Sequence, residues 1–287
     1  MPSARTHRVL SLLLLLLLPR PLPASWSIYD VHESLSNWTL HLLPASSGAR
    51  CLDGSPAGYY WRAGRADALL VHVQGGGWPT SLDEALARSR TRLGSSRGWP
   101  RAMSGAAAGP VRTDGGEAGM MSADPRANPA LHDWSAAYLC YCDGSSFTSD
   151  VAAPVRAGGR GEELHFRGRA IMDAFAAAVA ARAPRAREVV LKGCSAGGLA
   201  VVHAVDRFAA AWDARTTRVV GAPEAALFLD TPGVDGEYHY RRHFQARARR
   251  GGCRWGEAPP GERPAYAPTR ALRSSFLTRH LSHHHHQ

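Results

Sequence analysis

Apolar and polar positions recur along this chain with two different periods. Short runs rich in aliphatic residues predict buried strands, and apolar residues spaced three or four positions apart predict helices. The helix expected in the middle of the chain is the clearest case, because Ile171, Phe175 and Val179 form one apolar stripe. We expect strands at 69–73, 136–141, 188–192 and 225–229, and helices at 83–90, 168–182 and 198–211.

The order of these elements indicates an α/β protein. Strands that alternate with helices favour a mostly parallel sheet with helices on both faces. A length of 287 residues, 45% of them hydrophobic, is sufficient for one domain with a sizeable core. Residues 94–132 are rich in Gly, Ser, Ala and Pro, and we expect a long surface excursion there.

A Gly-x-Ser-x-Gly motif joins the strand at 188–192 to the helix at 198–211. A serine on such a tight turn adopts a strained backbone conformation, which requires small neighbours, and Gly193 and Gly197 satisfy that requirement. The pattern is typical of a nucleophile elbow and predicts Ser195 as a catalytic nucleophile. The alternative is a chance match in a chain with 29 glycines.

A serine of this kind needs backbone N–H groups that stabilise the oxyanion. The residue after the nucleophile supplies one of them, here Ala196, and a glycine-rich loop after an earlier strand supplies another. The strand at 69–73 runs directly into Gln74-Gly75-Gly76-Gly77-Trp78, so Gly77 and Trp78 are the candidate donors. The alternative is a flexible turn followed by a buried Trp.

Five short motifs together resemble the plant pectin acetylesterases, which are relatives of the Notum carboxylesterases. The motifs are Cys51-Leu52-Asp53-Gly54-Ser55-Pro56, Gln74-Gly75-Gly76-Gly77-Trp78, Tyr141-Cys142-Asp143-Gly144-Ser145-Ser146-Phe147, Gly193-Cys194-Ser195-Ala196-Gly197-Gly198 and Phe228-Leu229-Asp230. The resemblance implies an α/β-hydrolase-like fold, whose C-terminal strands we expect to be missing here. It also implies a secreted serine esterase that removes acetyl groups from pectin in the plant cell wall.

The rest of a catalytic triad is harder to find. A serine needs a histidine as base and a carboxylate that orients the histidine, in the order Ser, acid, His. The family carries these residues in motifs of the form Asn-Ala-Ala-Tyr-Asp and Cys-Phe-x-His-Cys, and neither motif occurs here. Asp230 with His239 or His243 has the right order but lies outside the family's triad positions. A catalytically dead polysaccharide-binding relative and a truncated or mis-spliced fragment are therefore alternatives to an active esterase.

Two residues are candidates for substrate binding. Trp78 lies next to the predicted oxyanion donors, where it could stack on a sugar ring or simply be buried. Asp143, which follows Tyr141 in its motif, could shape the pocket or simply form an Asp-Gly turn.

The two ends of the chain differ from the middle. Residues 1–25 have the basic, apolar and small-residue regions of a signal peptide, with an uncleaved anchor as the alternative. Residues 26–245 form the predicted hydrolase domain, and residues 246–287 a basic low-complexity tail without family resemblance. We therefore expect a secreted protein of the cell wall, which the Asn37-Trp38-Thr39 acceptor sequon also fits.

The net charge of +10 is concentrated near the C-terminus. Residues 240–287 hold ten arginines against Glu257 and Glu262. Such a tail could attract acidic pectin, or it could be an unselected segment. We expect acetylated pectin as the partner, a monomer, no nucleic acid, and no membrane association after signal cleavage. The sequence shows neither zinc-ligand spacing nor a phosphate loop, so we expect no metal and no cofactor.

Five cysteines leave at least one without a disulfide partner in a secreted chain. Cys140 and Cys142 are two positions apart on a predicted strand and could reach different partners. Family members usually carry two further cysteines where this chain has Pro79 and Ala85, so that local pair is lost here. The sequence does not decide the connectivity.

Overall fold

The computed structural model describes residues 38–103 and 117–241. The predicted signal peptide, the sequon asparagine, the basic tail, Cys253 and His243 lie outside these ranges. The strands are β1 (Trp38–Leu42), β2 (Gly58–Arg62), β3 (Arg65–Val73), β4 (Ala102–Met103), β5 (Trp134–Leu139), β6 (Val155–Ala157), β7 (Glu162–Leu164), β8 (Glu188–Cys194) and β9 (Arg218–Glu224). The helices are α1 (Leu82–Ser89), α2 (Glu117–Met121), α3 (Gly168–Arg182) and α4 (Ala196–Ala209), with a 3₁₀ turn at Ala45–Ser47.

Seven strands form one mixed sheet in the order β4-β1-β2-β5-β3-β8-β9. The strands β5, β3, β8 and β9 are parallel to one another, whereas β1 pairs antiparallel with both β2 and β4, and β2 antiparallel with β5. The remaining two strands, β6 and β7, form a separate hairpin. The alternation of strands and helices thus builds an α/β-hydrolase-like sheet, with its parallel half around β3 and β8.

Helices α3 and α4 pack on one face of the sheet. Phe175 of α3 lies 6.0 Å from Phe208 of α4 between ring centroids, and both rings are buried. Gly221 of β9 leaves room for α4, because an added Cβ would lie 3.1 Å from Val205. The apolar faces of α3 and α4 therefore cover this face of the sheet, as the periodicity of their apolar residues predicts.

The described parts of the segment predicted as a surface excursion, residues 94–103 and 117–132, instead pack against the opposite face of the sheet. Trp99 and Met121 belong to the hydrophobic core at 6% and 1% exposure. The Tyr60 hydroxyl donates to the Pro100 carbonyl at 2.8 Å, and Arg62 donates to the Met121 carbonyl at 2.8 Å. The composition of the segment, rich in small residues, did not predict this packing. The packing depends on a few large side chains within the segment.

Most predicted elements lie within two residues of their observed ends, and the strand at 225–229 is wrong. The observed last strand is β9, seven residues earlier, which pairs in register with β8 from Glu188 to Cys194. Ala225, the first residue of this apolar run, has φ +45°, so the extended conformation ends where the run begins. The start of β3 and the strands β1 and β2 were not predicted, because neighbouring strands rather than a strong local pattern define them.

One disulfide joins two loops in the described part of the chain. Cys51 bonds to Cys142, across 91 residues of sequence, and so ties the loop before β2 to the loop after β5. Cys140 is buried and has no disulfide partner among the described residues. The structure thus supplies one pairing, Cys51 with Cys142, that the sequence left open.

Candidate active site

Ser195 lies at the junction between β8 and α4, at the carboxyl end of the parallel strands. Its backbone has φ +56° and ψ −120°, which is rare for a residue other than glycine. A Cβ at Gly193 would lie 2.5 Å from the Gly197 carbonyl oxygen, and a Cβ at Gly197 would overlap the Val73 carbonyl oxygen. The two glycines are therefore required by close backbone contacts, as expected for a nucleophile elbow.

Glu224, at the end of β9, holds the elbow by two contacts. Its carbonyl oxygen accepts the Ser195 N–H at 3.0 Å. Its carboxylate forms an ion pair with Lys192, with Oε1 and Nζ 3.2 Å apart, at an angle that falls short of a hydrogen bond. The Lys192 side chain is fully buried, so the ion pair with Glu224 compensates the charge of its ammonium group.

The glycine loop after β3 runs directly beside the elbow. A Cβ at Gly75 would overlap the Cys194 carbonyl oxygen, so only glycine fits there. Gly76 and Gly77 have φ values of +147° and +65°. A Cβ at Gly77 would meet nothing within 4 Å, so the loop presents an open surface at this position.

Two side chains fix the orientation of the predicted oxyanion donors. Arg88 donates from Nη2 to the Gly76 carbonyl at 3.0 Å, and the Tyr141 hydroxyl donates to the Gly77 carbonyl at 2.9 Å. In a trans peptide the C=O and the following N–H point in opposite directions. Holding these two carbonyls therefore sets the directions of the Gly77 and Trp78 N–H groups.

Ala196, the remaining predicted donor, is the first residue of α4. The first four N–H groups of a helix have no acceptor within the helix, and the helix dipole favours negative charge there. The elbow and the glycine loop are thus neighbours, and hydrogen bonds from Arg88 and Tyr141 hold the peptide groups of the loop. The oxyanion role of Gly77, Trp78 and Ala196 stays a prediction.

Trp78 is half-buried and held on two sides. Its indole N–H donates to the Ser146 hydroxyl at 2.7 Å. Its ring packs edge-on against Phe228, with centroids 5.1 Å apart, and Phe228 packs in turn against Tyr240 at 5.2 Å. The residues after β9, mistaken for a strand in the sequence, therefore contact the site through Phe228.

Asp143 is fully buried beneath the loop that carries Ser146. Its Oδ2 accepts hydrogen bonds from the N–H groups of Ser145 and Phe147, each at 3.1 Å, and from the Ser145 hydroxyl. Burial raises the pKa of the Asp143 carboxyl above its ordinary value, and these hydrogen bonds act in the opposite direction. The contacts give Asp143 a role in shaping the loop, and its binding of substrate stays a prediction.

The structure does not bring Asp230 and His239 together as acid and base. Asp230 accepts two hydrogen bonds from Arg241 Nε, at 2.9 and 3.2 Å, and one from its Nη2 at 3.0 Å. His239 pairs with Asp235 at 2.8 Å and is largely exposed. Ser195 Oγ forms no side-chain hydrogen bond with any residue in the described ranges. The triad suggested by sequence order alone is therefore not formed among these residues.

The other two histidines considered from the sequence lie within packed elements. His72 is fully buried on β3 and stacks on Tyr138 with ring centroids 4.9 Å apart. His203 lies in α4, where burial lowers its pKa. Among the described residues, no group of three His, Cys, Asp or Glu side chains could hold a metal ion, and no helix could span a membrane.

The sequence comparison identifies the family. Residues 31–256 match the pectinacetylesterase family. The chain belongs to this family. The match covers the elbow, the glycine loop and the Asp143 loop, so the three segments that the fold assembles around Ser195 all lie in the pectinacetylesterase region.

Curated relatives of this pectinacetylesterase chain come from plants and animals. Pectin acetylesterase 5 of Arabidopsis thaliana is 33% identical over 69% of this chain, which covers 43% of that relative. Pectin acetylesterase 11 of the same plant is 30% identical over 69% of the chain and 48% of its own length. The human palmitoleoyl-protein carboxylesterase NOTUM is 30% identical over 67% of the chain and 36% of its own length. The chain thus spans less than half the length of each of these relatives.

Several residues of the site were not found from the sequence. Arg88 lies at the end of α1, and Glu224 ends an edge strand, so neither stands close to the elbow in sequence. Their roles come from hydrogen bonds to backbone carbonyls and N–H groups, which no side-chain pattern reveals. The sequence did contain one signal for Glu224. Lys192 lies within a strand predicted to be buried, and a buried lysine requires a charged partner.

Proposed function

We propose that this chain is a secreted, monomeric serine carboxylesterase that removes acetyl groups from pectin in the cell wall. The elbow at Ser195, set directly against an anchored glycine loop, is the observation that carries the proposal. Membership of the pectinacetylesterase family supports this reaction class, and similarity to plant pectin acetylesterases supports the substrate.

In the proposed reaction, Ser195 Oγ attacks the acetyl carbonyl carbon and forms a tetrahedral intermediate. The negative oxygen accepts hydrogen bonds from the N–H groups of Ala196 and of Gly77 or Trp78. Collapse of the intermediate releases the sugar hydroxyl and leaves an acetyl group on Ser195. Water then hydrolyses this acyl-enzyme to acetate, with a base required at each proton transfer.

The test compares the unsubstituted chain with Ser195→Ala on a small chromogenic acetate and on acetylated pectin. We expect the variant to lose at least about a hundredfold in kcat/KM on both, because it removes the nucleophile. Ser47→Ala, in the 3₁₀ turn away from the elbow, is the matched control and should retain the rate. Equal rates for Ser195→Ala and the unsubstituted chain would refute the esterase proposal.

A second candidate function is polysaccharide binding without catalysis. The pairing of Asp230 with Arg241 and of His239 with Asp235 favours it, because both candidate triad residues are engaged elsewhere. This candidate predicts retention on acetylated pectin with no release of acetate. Measured acetate release that depends on Ser195 would exclude it.

A further inference from the structure

The segment that follows the glycine loop is unusually rich in arginine. Five arginines and no acidic residue lie between positions 88 and 101, from the end of α1 to the start of β4. Most of the chain's net charge lies in residues 240–287, so this local concentration is not visible in the overall charge balance. Four of the five, Arg90, Arg92, Arg97 and Arg101, line one surface, here called the arginine trough.

The arginine trough consists of two grooves that share Arg97. The first has a volume of about 640 Å³ and also contains Arg90 and Arg92. The second has a volume of about 540 Å³ and contains Arg101 together with Trp99. Because Arg97 lines both, the two grooves adjoin and offer an extended surface rather than a compact pocket.

Ion pairs hold two of these guanidinium groups but leave some of their N–H donors available. Arg97 Nε lies 3.2 Å from Asp53, and Arg90 Nη2 lies 2.6 Å from Glu162. The two arginine side chains remain 78% and 65% exposed. A guanidinium has five N–H donors, so each retains donors for an incoming anion. Arg101 forms no ion pair with any residue in the described ranges.

The trough also contains acidic side chains, which limit its net charge. Besides Asp53 and Glu162, the first groove includes Glu163, which lies 3.5 Å from Arg156 outside the trough. Asp53 and Glu162 act as fixed partners that orient Arg97 and Arg90, and all three carboxylates disfavour binding of a single free anion. A ligand with several regularly spaced negative charges gains more from such a surface than an isolated anion does.

The trough is connected to the candidate active site through the same segment. Arg88, the first of the five arginines, donates to Gly76 in the glycine loop and to the Leu93 carbonyl within the segment, both at 3.0 Å. The chain that holds the predicted oxyanion loop therefore continues directly into the trough. A polymer bound there would contact the same segment that anchors the predicted oxyanion loop.

We propose that the arginine trough binds an acidic oligosaccharide that carries a carboxylate on successive sugars, as the uronate backbone of pectin does. The inference rests on the proposed function and adds a second site for the same polymer. Guanidinium groups match carboxylates in planar, paired hydrogen bonds. A nucleic acid fits less well, because single strands bind by stacking on exposed aromatic rings. Trp99 is 6% exposed and donates its indole N–H to the Arg92 carbonyl at 3.2 Å.

The test measures binding of the full chain to polygalacturonate and to neutral galactan. The variant Arg97→Gln with Arg101→Gln should bind polygalacturonate about tenfold more weakly, since an exposed charged contact contributes up to about fivefold. The matched control, Arg126→Gln with Arg215→Gln, removes the same charge from two exposed arginines outside the trough, each of which pairs with a nearby aspartate. It should change binding by less than about twofold.

Three comparisons separate the possible outcomes. Equal weakening by both double variants, or equal affinity of the trough for single-stranded RNA, would overturn the inference. Arg101→Gln alone breaks no ion pair with a described residue, so it tests the trough even where the double variant folds poorly. Ser195→Ala should retain full binding to polygalacturonate while losing hydrolysis of the chromogenic acetate, so failure of the trough and failure of the esterase proposal are distinguishable.

Discussion

The elbow region and the segment after β9 meet at Phe228 but are built in different ways. Around Ser195, backbone atoms of three segments are in direct contact, and the side chains behind them are buried. Residues 225–241 expose Leu227 at 82% and Leu229 at 54%, and surface ion pairs link their polar side chains. The nucleophile and its neighbouring loop are therefore preorganised, whereas no acid and base are assembled beside them from the described residues.

The largest effect should follow from disturbing the backbone contacts of the elbow. Gly197→Ala places a Cβ against the Val73 carbonyl oxygen, so strand β3 and helix α4 must move apart. We expect the free energy of unfolding to fall by about 3 kcal/mol, measured by urea denaturation. Gly159→Ala, where an added Cβ meets nothing within 4 Å, is the control. A similar loss in both variants would show that the elbow is not specially constrained.

Removal of Glu224 and removal of Lys192, the two partners of the ion pair beneath the elbow, should change the stability of the protein by different amounts. Glu224→Gln leaves the buried Lys192 ammonium uncompensated, and we expect a loss of about 2 kcal/mol. This is less than for a fully buried pair, because the Glu224 side chain is 38% exposed. Lys192→Met removes the charge while filling the space and should cost under about 1 kcal/mol. If the two variants were equally stable in thermal denaturation, the pair would not support the elbow.

Anchoring of the glycine loop should affect catalysis more than folding. Tyr141→Phe removes the hydroxyl that holds the Gly77 carbonyl, which would loosen the direction of the Trp78 N–H. We expect kcat on the chromogenic acetate to fall on the order of tenfold, with little change in KM. Tyr60→Phe removes a comparable bond to the Pro100 carbonyl on the opposite face and is the control. A loss seen in KM alone would contradict the oxyanion role.

The smallest effect should occur in the segment after β9. Asp230→Asn breaks the ion pair with Arg241, whose side chain is 45% exposed. We expect no measurable change in the midpoint of thermal denaturation, and acetate hydrolysis should stay within about twofold. Gly197→Ala serves as the contrasting variant from the elbow region. A large loss of kcat in Asp230→Asn would instead identify Asp230 as the catalytic acid.

The fold was predicted well where local patterns are strong. The helix at 168–182 matches α3, and the central parallel strands were found from their apolar runs. The strand expected at 225–229 was wrong because an apolar run was taken for a strand, although strand pairing ends at Glu224. The packing of residues 94–103 and 117–132 against the sheet was missed because Trp99 and Met121 are isolated apolar positions in a polar, small-residue context.

The amino-acid sequence by itself determined the elbow, the glycine loop and the family, because backbone strain and close backbone contacts leave few residue types acceptable. Tertiary structure alone decided which side chains support these segments. Arg88, Tyr141 and Glu224 act through bonds to backbone groups far from them in sequence. It also decided that Asp230 and His239 pair with other residues, since sequence order carries no information about which charges meet in space.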